Sequence, residues 1–171
     1  LELIETQTIS SAVAQVDFTS IQESTYNVHF LTINNLQFSG TSTANVGVRL
    51  FESGVLETST VYDIAYQRGA ATGTTSEARS TSNNHLRIVT YTGDGNVANG
   101  YSYFYNLGDS TKYSFHTMHS SNTNKDGTAS YNFGSGVLHQ ASTVDGIRLY
   151  DASSSQNITS GVISLYGIRY S

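Results

Sequence analysis

The end of the chain constrains the fold most. Gly146-Ile147-Arg148-Leu149-Tyr150 and Gly161-Val162-Ile163-Ser164-Leu165-Tyr166-Gly167-Ile168-Arg169-Tyr170 are runs of β-branched, aliphatic and aromatic residues. Between them lies a segment of Ser, Asn and Gln, residues 151–160. Such side chains fit a pleated, half-buried surface, and a polar segment between two such runs reads as a hairpin with a polar tip. The chain is therefore expected to be β-structured to its last residues, with the terminus paired into a sheet.

Period-two alternation recurs upstream. In residues 26–33, Tyr26, Val28, Phe30 and Thr32 share one face and Leu31 and Ile33 the other, so both faces are partly apolar, as in a strand covered on both sides. Further strands are expected at 1–9, 15–18, 46–51, 60–67, 85–92, 101–107, 112–119 and 129–138, giving about ten or eleven short strands. No segment pairs a long apolar stripe at helical spacing with a capping signal. Residues 51–61 offer a short helix at most, and Ser53-Gly54 reads better as a turn. Gly93-Asp94-Gly95-Asn96 and Lys125-Asp126-Gly127 carry the pairs that tolerate positive φ in turns. The longest polar stretch, 68–84, reads as a loop, and at that length as an interface or functional loop. The prediction is an all-β chain: one antiparallel β-sandwich domain over residues 1–171, with about ten short strands.

Composition agrees. Charged residues make up 12% of the chain, about half the usual share, while aromatics make up 11% with 12 Tyr. Few charges with many Ser, Thr and Tyr describe strands facing water, not helices held by Glu–Lys pairs. The chain has no Cys, which removes disulfides, thiolate metal sites and Cys nucleophiles together. Eight basic residues against 13 acidic ones argue against nucleic acid as a partner, because a basic stripe is its electrostatic footprint. No apolar run approaches the ~20 residues that cross a bilayer, so membrane insertion is not expected.

The residues that invite chemistry each have a simpler reading. His116 and His119 sit three apart, and on a strand that spacing points them to opposite faces, away from a shared metal ion. Asp94-Gly95-Asn96 and Asn124-Lys125-Asp126-Gly127 lack the alternating acidic ligands of a calcium loop and read as turns. Gly134-Ser135-Gly136 is not a Gly-x-Ser-x-Gly elbow. Asn157-Ile158-Thr159 is a formal glycosylation sequon, read here as part of a polar tip. No catalytic residue, cofactor or metal site is assigned, and the chain is read as non-enzymatic. Tyr101, Tyr103 and Tyr105 share one face of a strand, with Phe104 on the other. The leading expectation is that this face packs inside the sandwich. The alternatives are a protein interface and a platform for sugar rings, since Tyr joins apolar area to a polar tip.

The two ends together resemble a known group. Leu1-Glu2-Leu3-Ile4-Glu5-Thr6-Gln7-Thr8, Val16-Asp17-Phe18-Thr19-Ser20 and Ser24-Thr25-Tyr26 resemble the opening of small virion proteins of tailed, especially marine, bacteriophages. The pattern Gly-Ile-Arg, then Ser-Gly-x-Ile-x-Leu-Tyr-Gly-Ile, resembles their end; the middle of the chain is unmatched. The resemblance implies a jelly-roll-like structural component located in the virion and assembled as a homotrimer. It also implies attachment to the major capsid protein or another virion protein. Its first form is a capsid decoration protein, and its second a tail- or head-fibre module that binds the host surface. From another class, a carbohydrate-binding module would take a surface glycan on the Tyr face. Segments 68–84 and 151–160 are the expected contact regions.

Overall fold

The computed structural model describes residues 1–92, 96–124, 126–153 and 155–170. Among them the chain forms strands and no helix: β1 (Glu2–Ile9), β2 (Gln15–Phe18), β3 (Val28–Phe38), β4 (Ala44–Glu52), β5 (Val55–Leu56), β6 (Tyr62–Ala70) and β7 (Thr75–Asn83). After these come β8 (Leu86–Thr92), β9 (Ala98–Tyr105), β10 (Tyr113–Thr123), β11 (Ala129–Ala141), β12 (Val144–Asp151) and β13 (Ile158–Ile168). The strands absent from the sequence expectation are β5 and β7.

Four antiparallel pairs are nested: β1 with β13, β2 with β12, β3 with β9 and β4 with β8. They read as one long hairpin folded over itself. Folding it places β1, β13, β3 and β9 in one sheet and β2, β12, β4 and β8 in the other. That is the arrangement of a jelly roll, and the expected antiparallel β-sandwich is what forms. The first sheet then continues past β9 through β10, β11, β6 and β7, giving the order β1-β13-β3-β9-β10-β11-β6-β7.

Aliphatic side chains fill the space between the sheets. Phe18, Leu31, Leu36, Leu50, Ile147, Leu149 and Leu165 are all fully buried, each stabilising the fold by about 1.5–3 kcal/mol relative to exposure. The segments at the two ends of the chain meet. The Tyr26 hydroxyl donates to Glu2 Oε2 at 2.6 Å. The Tyr26 ring lies where a Cβ on Gly167 would sit, 2.2 Å from it, so only glycine fits there. Arg148 on β12 grips Asp17 on β2 through both carboxylate oxygens, at 2.7 and 2.6 Å.

Two expectations are corrected. The last two apolar runs do not form a hairpin. β12 lies between β2 and β4, whereas β13 lies between β1 and β3 in the other sheet. Alternation fixes which residues share a face but says nothing about the partner strand. The segment 151–160 is therefore a crossover between sheets, organised by buried Asp151. Its Oδ1 accepts from the Asn45 and Ser153 amides and its Oδ2 from the Gln156 amide, each at 3.0 Å. The terminus itself is paired as expected, up to Ile168.

Segment 68–84 is not a loop. β6 and β7 form a hairpin through it, with Gly73 at φ +86° in the turn. Among the described residues β7 pairs only with β6, and its polar residues, Glu77 and Arg79 among them, suit an edge strand whose unpaired backbone must not recruit another chain. In 51–61 the expected turn at Ser53-Gly54 forms, and not the short helix. Ser53 and Gly54, both at positive φ, turn β4 into β5.

Candidate functional site

The eight-stranded sheet changes character along its width. In the jelly-roll half, the face toward the core carries Leu31, Ile33, Ile163 and Leu165. In β10 and β11 only Met118 and Leu138 join the apolar core, and most other core-facing positions are polar. Ser114, His116, Ser120 and Asn122 of β10 and Ser130 and Asn132 of β11 are all buried. β8 lies beneath them, and among the described residues it pairs with β4 alone. The backbone groups on its other side need partners away from water. Ser120 Oγ donates to the Ile88 carbonyl at 2.9 Å and Asn122 Nδ2 to the Thr90 carbonyl at 3.4 Å. Thr90 Oγ1 donates to Asn132 Oδ1, and Asn132 Nδ2 donates onward to Ser120 Oγ at 3.1 Å.

The Tyr and Phe rings of these strands point outward. Tyr113 and Phe115 of β10 and Tyr131 and Phe133 of β11 are 41–46% exposed. Tyr101 of β9 is 40% exposed, and Tyr103 and Tyr105 beside it are half-buried on the same outer face. Phe30 of β3 and Tyr166 of β13 extend the surface into the jelly-roll half. The Phe30 ring stacks on Tyr103 at 4.6 Å and 30°, with Tyr101 and Tyr166 at 5.9 and 6.1 Å from it. Tyr103 and Tyr105 run nearly parallel at 6.5 Å, as do Tyr131 and Phe133 at 6.2 Å. The Tyr131 ring occupies the space over Gly69, where a Cβ would lie 2.4 Å from it.

Tyr101, Tyr103 and Tyr105 thus share a face, but it is the outer one and not the sandwich interior. Phe104 between them is fully buried. The reading that this face packs inside took the tyrosines for the core side; Ala98, Ser102 and Phe104, all fully buried, fill that side instead. Phe115, Tyr131, Phe133, Phe30 and Tyr166 belong to the same surface and were missed. Their signal was present in Phe115-x-Thr117-x-His119 and Tyr131-x-Phe133, two runs at the same spacing as the Tyr triplet.

The two imidazoles of β10 lie on opposite faces. His116 is buried, its ring stacked on Phe104 at 5.8 Å, and Ser102 Oγ lies 3.2 Å from its Nδ1. Burial lowers its pKa to about 3. His119 is exposed and meets Tyr101 edge-on at 5.7 Å. Gly136 lies inward beside His116 and Ser135 outward, so the Gly-Ser-Gly run is strand and not a nucleophile turn. Asn124 Oδ1 accepts the Asp126 and Thr128 amides, which makes that segment the expected turn. Residues 93–95, 125 and 154 lie outside the described residues.

Two depressions adjoin the aromatic surface. One, of about 520 Å³, is polar and lies beside Tyr105, with Glu23, Asn27, Asn106 and Asp109 around it. Lys112 at 2.7 Å and Thr111 hold the Asp109 carboxylate, lowering its pKa to about 2. The other, of about 570 Å³, is apolar and lies on the outer face of β10, β11, β6 and β7.

No protein-family model, curated protein or solved structure matches the chain.

Proposed function

We propose that this chain is a non-enzymatic structural protein of a tailed-bacteriophage virion, a decoration protein that assembles as a homotrimer on the shell. The observation that carries the reading is the aromatic outer face. Nine aromatic side chains at 150–250 Å² each, about two-fifths exposed or half-buried, leave on the order of 600 Å² of ring surface in one patch. This is at the upper end of the ~300–600 Å² usual for the largest patch on a monomer, and it approaches the ~800 Å² per partner of a stable interface. Other copies of the chain cover this face, and the assembled particle clamps neighbouring capsid subunits, stabilising them by mass action. The placement in a virion rests on the terminal segments. Three contacts join them: Glu2 with Tyr26, Tyr26 with Gly167, and Asp17 with Arg148. The copy number per purified particle tests the reading: hundreds support decoration, a few dozen or fewer mean a fibre module, and none removes the virion role.

The polar depression beside Tyr105 favours a second reading, a carbohydrate-binding module. Sugar rings would stack on Tyr103 and Tyr105 while Asn27, Asn106 and Asp109 bind hydroxyls. Absence of binding across a glycan array by the folded protein rules it out.

A further inference from the structure

On the opposite side of the molecule, the outer face of the smaller sheet gathers three of the chain's eight basic residues. Asp17, Arg148 and Arg49 stand side by side on β2, β12 and β4. The row beside them runs Gln15, Tyr150, Gly47 and Arg87. Arg148 is satisfied, because Asp17 accepts from its Nε and Nη2. Arg49 lies directly opposite Arg148, and like charges so placed repel unless each is neutralised. Among the described residues no carboxylate lies within ion-pair distance of Arg49 or Arg87. The row is one carboxylate short.

Both guanidiniums are fixed in place. Arg49 lies over the Tyr150 ring, 4.8 Å from its centre, and its Nε donates to the Asn84 carbonyl at 3.0 Å. Arg87 Nη2 donates to His85 Nε2 at 2.8 Å, so the neutral His85 ring carries its proton on Nδ1 and gives it to Asn84 Oδ1 at 2.7 Å. Burial, then Arg87 and Arg49, hold the His85 pKa at about 4, so at neutral pH the ring adds no charge. Gly47 leaves room for this network, since a Cβ there would lie 3.2 Å from His85 and 3.3 Å from Tyr150. Arg87 Nε is buried without a hydrogen-bond partner. Fixed, half-buried cations carry a desolvation cost that an anion offsets. Beside Arg49 the surface dips into a depression of about 210 Å³, lined by Arg49, Arg148, Tyr150, Gln15 and Asp151 among others. It is smaller than the ~300–1,000 Å³ pockets of drug-sized ligands. Asp151 is turned to backbone amides at both carboxylate oxygens, which leaves the guanidiniums to set the sign of the site. We infer that this depression receives a glutamate or aspartate side chain of a partner protein, its carboxylate held by Arg49 as Arg148 holds Asp17. An acidic sugar fits less well, because Arg49 already covers the Tyr150 ring on which a sugar would stack. The inference does not depend on a virion role.

The Nε–Hε signals of the arginines report on the site by NMR. The probe is N-acetylglutamate α-amide, a glutamate side chain with no other charge, added at constant ionic strength. It is expected to shift the Arg49 signal saturably in the millimolar range. The Arg79 signal, exposed in a weak pair with Glu77, is expected to stay in place. The uncharged glutamine counterpart of the probe is expected to shift neither. Arg49→Gln is expected to weaken binding about tenfold or more, read at the Arg148 signal. Arg49→Lys keeps the charge but loses the fork, and it is expected to weaken binding by a smaller factor. The lysine variant serves if the glutamine variant does not fold. No shift, a shift shared equally by Arg79, or binding unchanged in both variants overturns the site. Galacturonate or inorganic phosphate binding about tenfold more tightly than the glutamate probe overturns the assignment to a protein side chain.

Discussion

The two halves of the wide sheet are built from the same alternation and turned opposite ways. In β3 and β13, Leu31, Ile33, Ile163 and Leu165 face the core and the sheet behaves as half of a sandwich. In β10 and β11, serines, asparagines and a histidine face inward beside Met118 and Leu138, and tyrosines and phenylalanines face out. The difference teaches that the polarity of a strand's inner face is set by what lies beneath it. Where the opposing layer presents packed side chains, Leu and Ile serve. Where it presents backbone in need of partners, each hydrogen bond adds only about 0.5–1.5 kcal/mol net, but omitting it costs the desolvation of a buried group.

The comparison breaks first at β13. Ending the chain after Ser160 removes the strand that joins β1 to β3, and the expected result is loss of the cooperative thermal transition. A soluble, cooperatively folding truncation would mean that the jelly-roll half does not depend on its own centre. Next, Leu31→Ala should cost about 2–5 kcal/mol by urea denaturation, as a cavity in a close-packed site. The matching change in the other half, Asn132→Ala, should cost less, about 1–3 kcal/mol, because it strands Thr90 and Ser120 without opening a large void. Equal losses would remove the distinction between the halves.

Acid sharpens the contrast. Burial holds the His116 pKa at about 3 in the folded state, far below its ordinary 6.5. The unfolded chain therefore takes up the proton first, and stability is fully present above pH 6.5 and falls as pH drops toward 3. At pH 5 the loss from this residue is about 2 kcal/mol. His85 adds a loss of the same sign, its pKa lowered to about 4 by burial and then by Arg87. His116→Gln should flatten part of the decline in Tm between pH 7 and 5, and an unchanged slope would place the acid sensitivity elsewhere. The smallest effect on stability is expected from Phe133→Ser on the outer face, within about 0.5 kcal/mol for the monomer. If this variant lowers stability at high but not low protein concentration, the missing stability belongs to the interface.

Much of the fold was legible because alternation is local. The strand positions in β3, β10, β11 and β13 and the opposite orientations of His116 and His119 follow from period two. Partners are not local. Nothing in residues 146–170 says that two apolar runs separated by a polar segment enter different sheets. β7 was hidden because an edge strand exposed along its length has no apolar face to betray it. The candidate surface was half legible. The Tyr triplet stood out, but its direction depended on which face of β9 the opposing layer covers, which no window around residue 101 can reveal.

The nested pairing carries a consequence for when the molecule forms. Thr6 and Ser164, bonded across β1 and β13, are 158 residues apart in the chain, and closing such distant contacts before any reward arrives is slow. β10 and β11, by contrast, are joined by one short turn, and hairpins close in microseconds. On a ribosome the aromatic hairpin is complete while β1 still waits for its partner to be synthesised. Pulse-labelled hydrogen exchange during refolding should find the amides of 114–122 protected before those of 2–9. The sticky side of the protein would then exist before its body does, so nascent chains translated side by side could meet through their rings before either has closed.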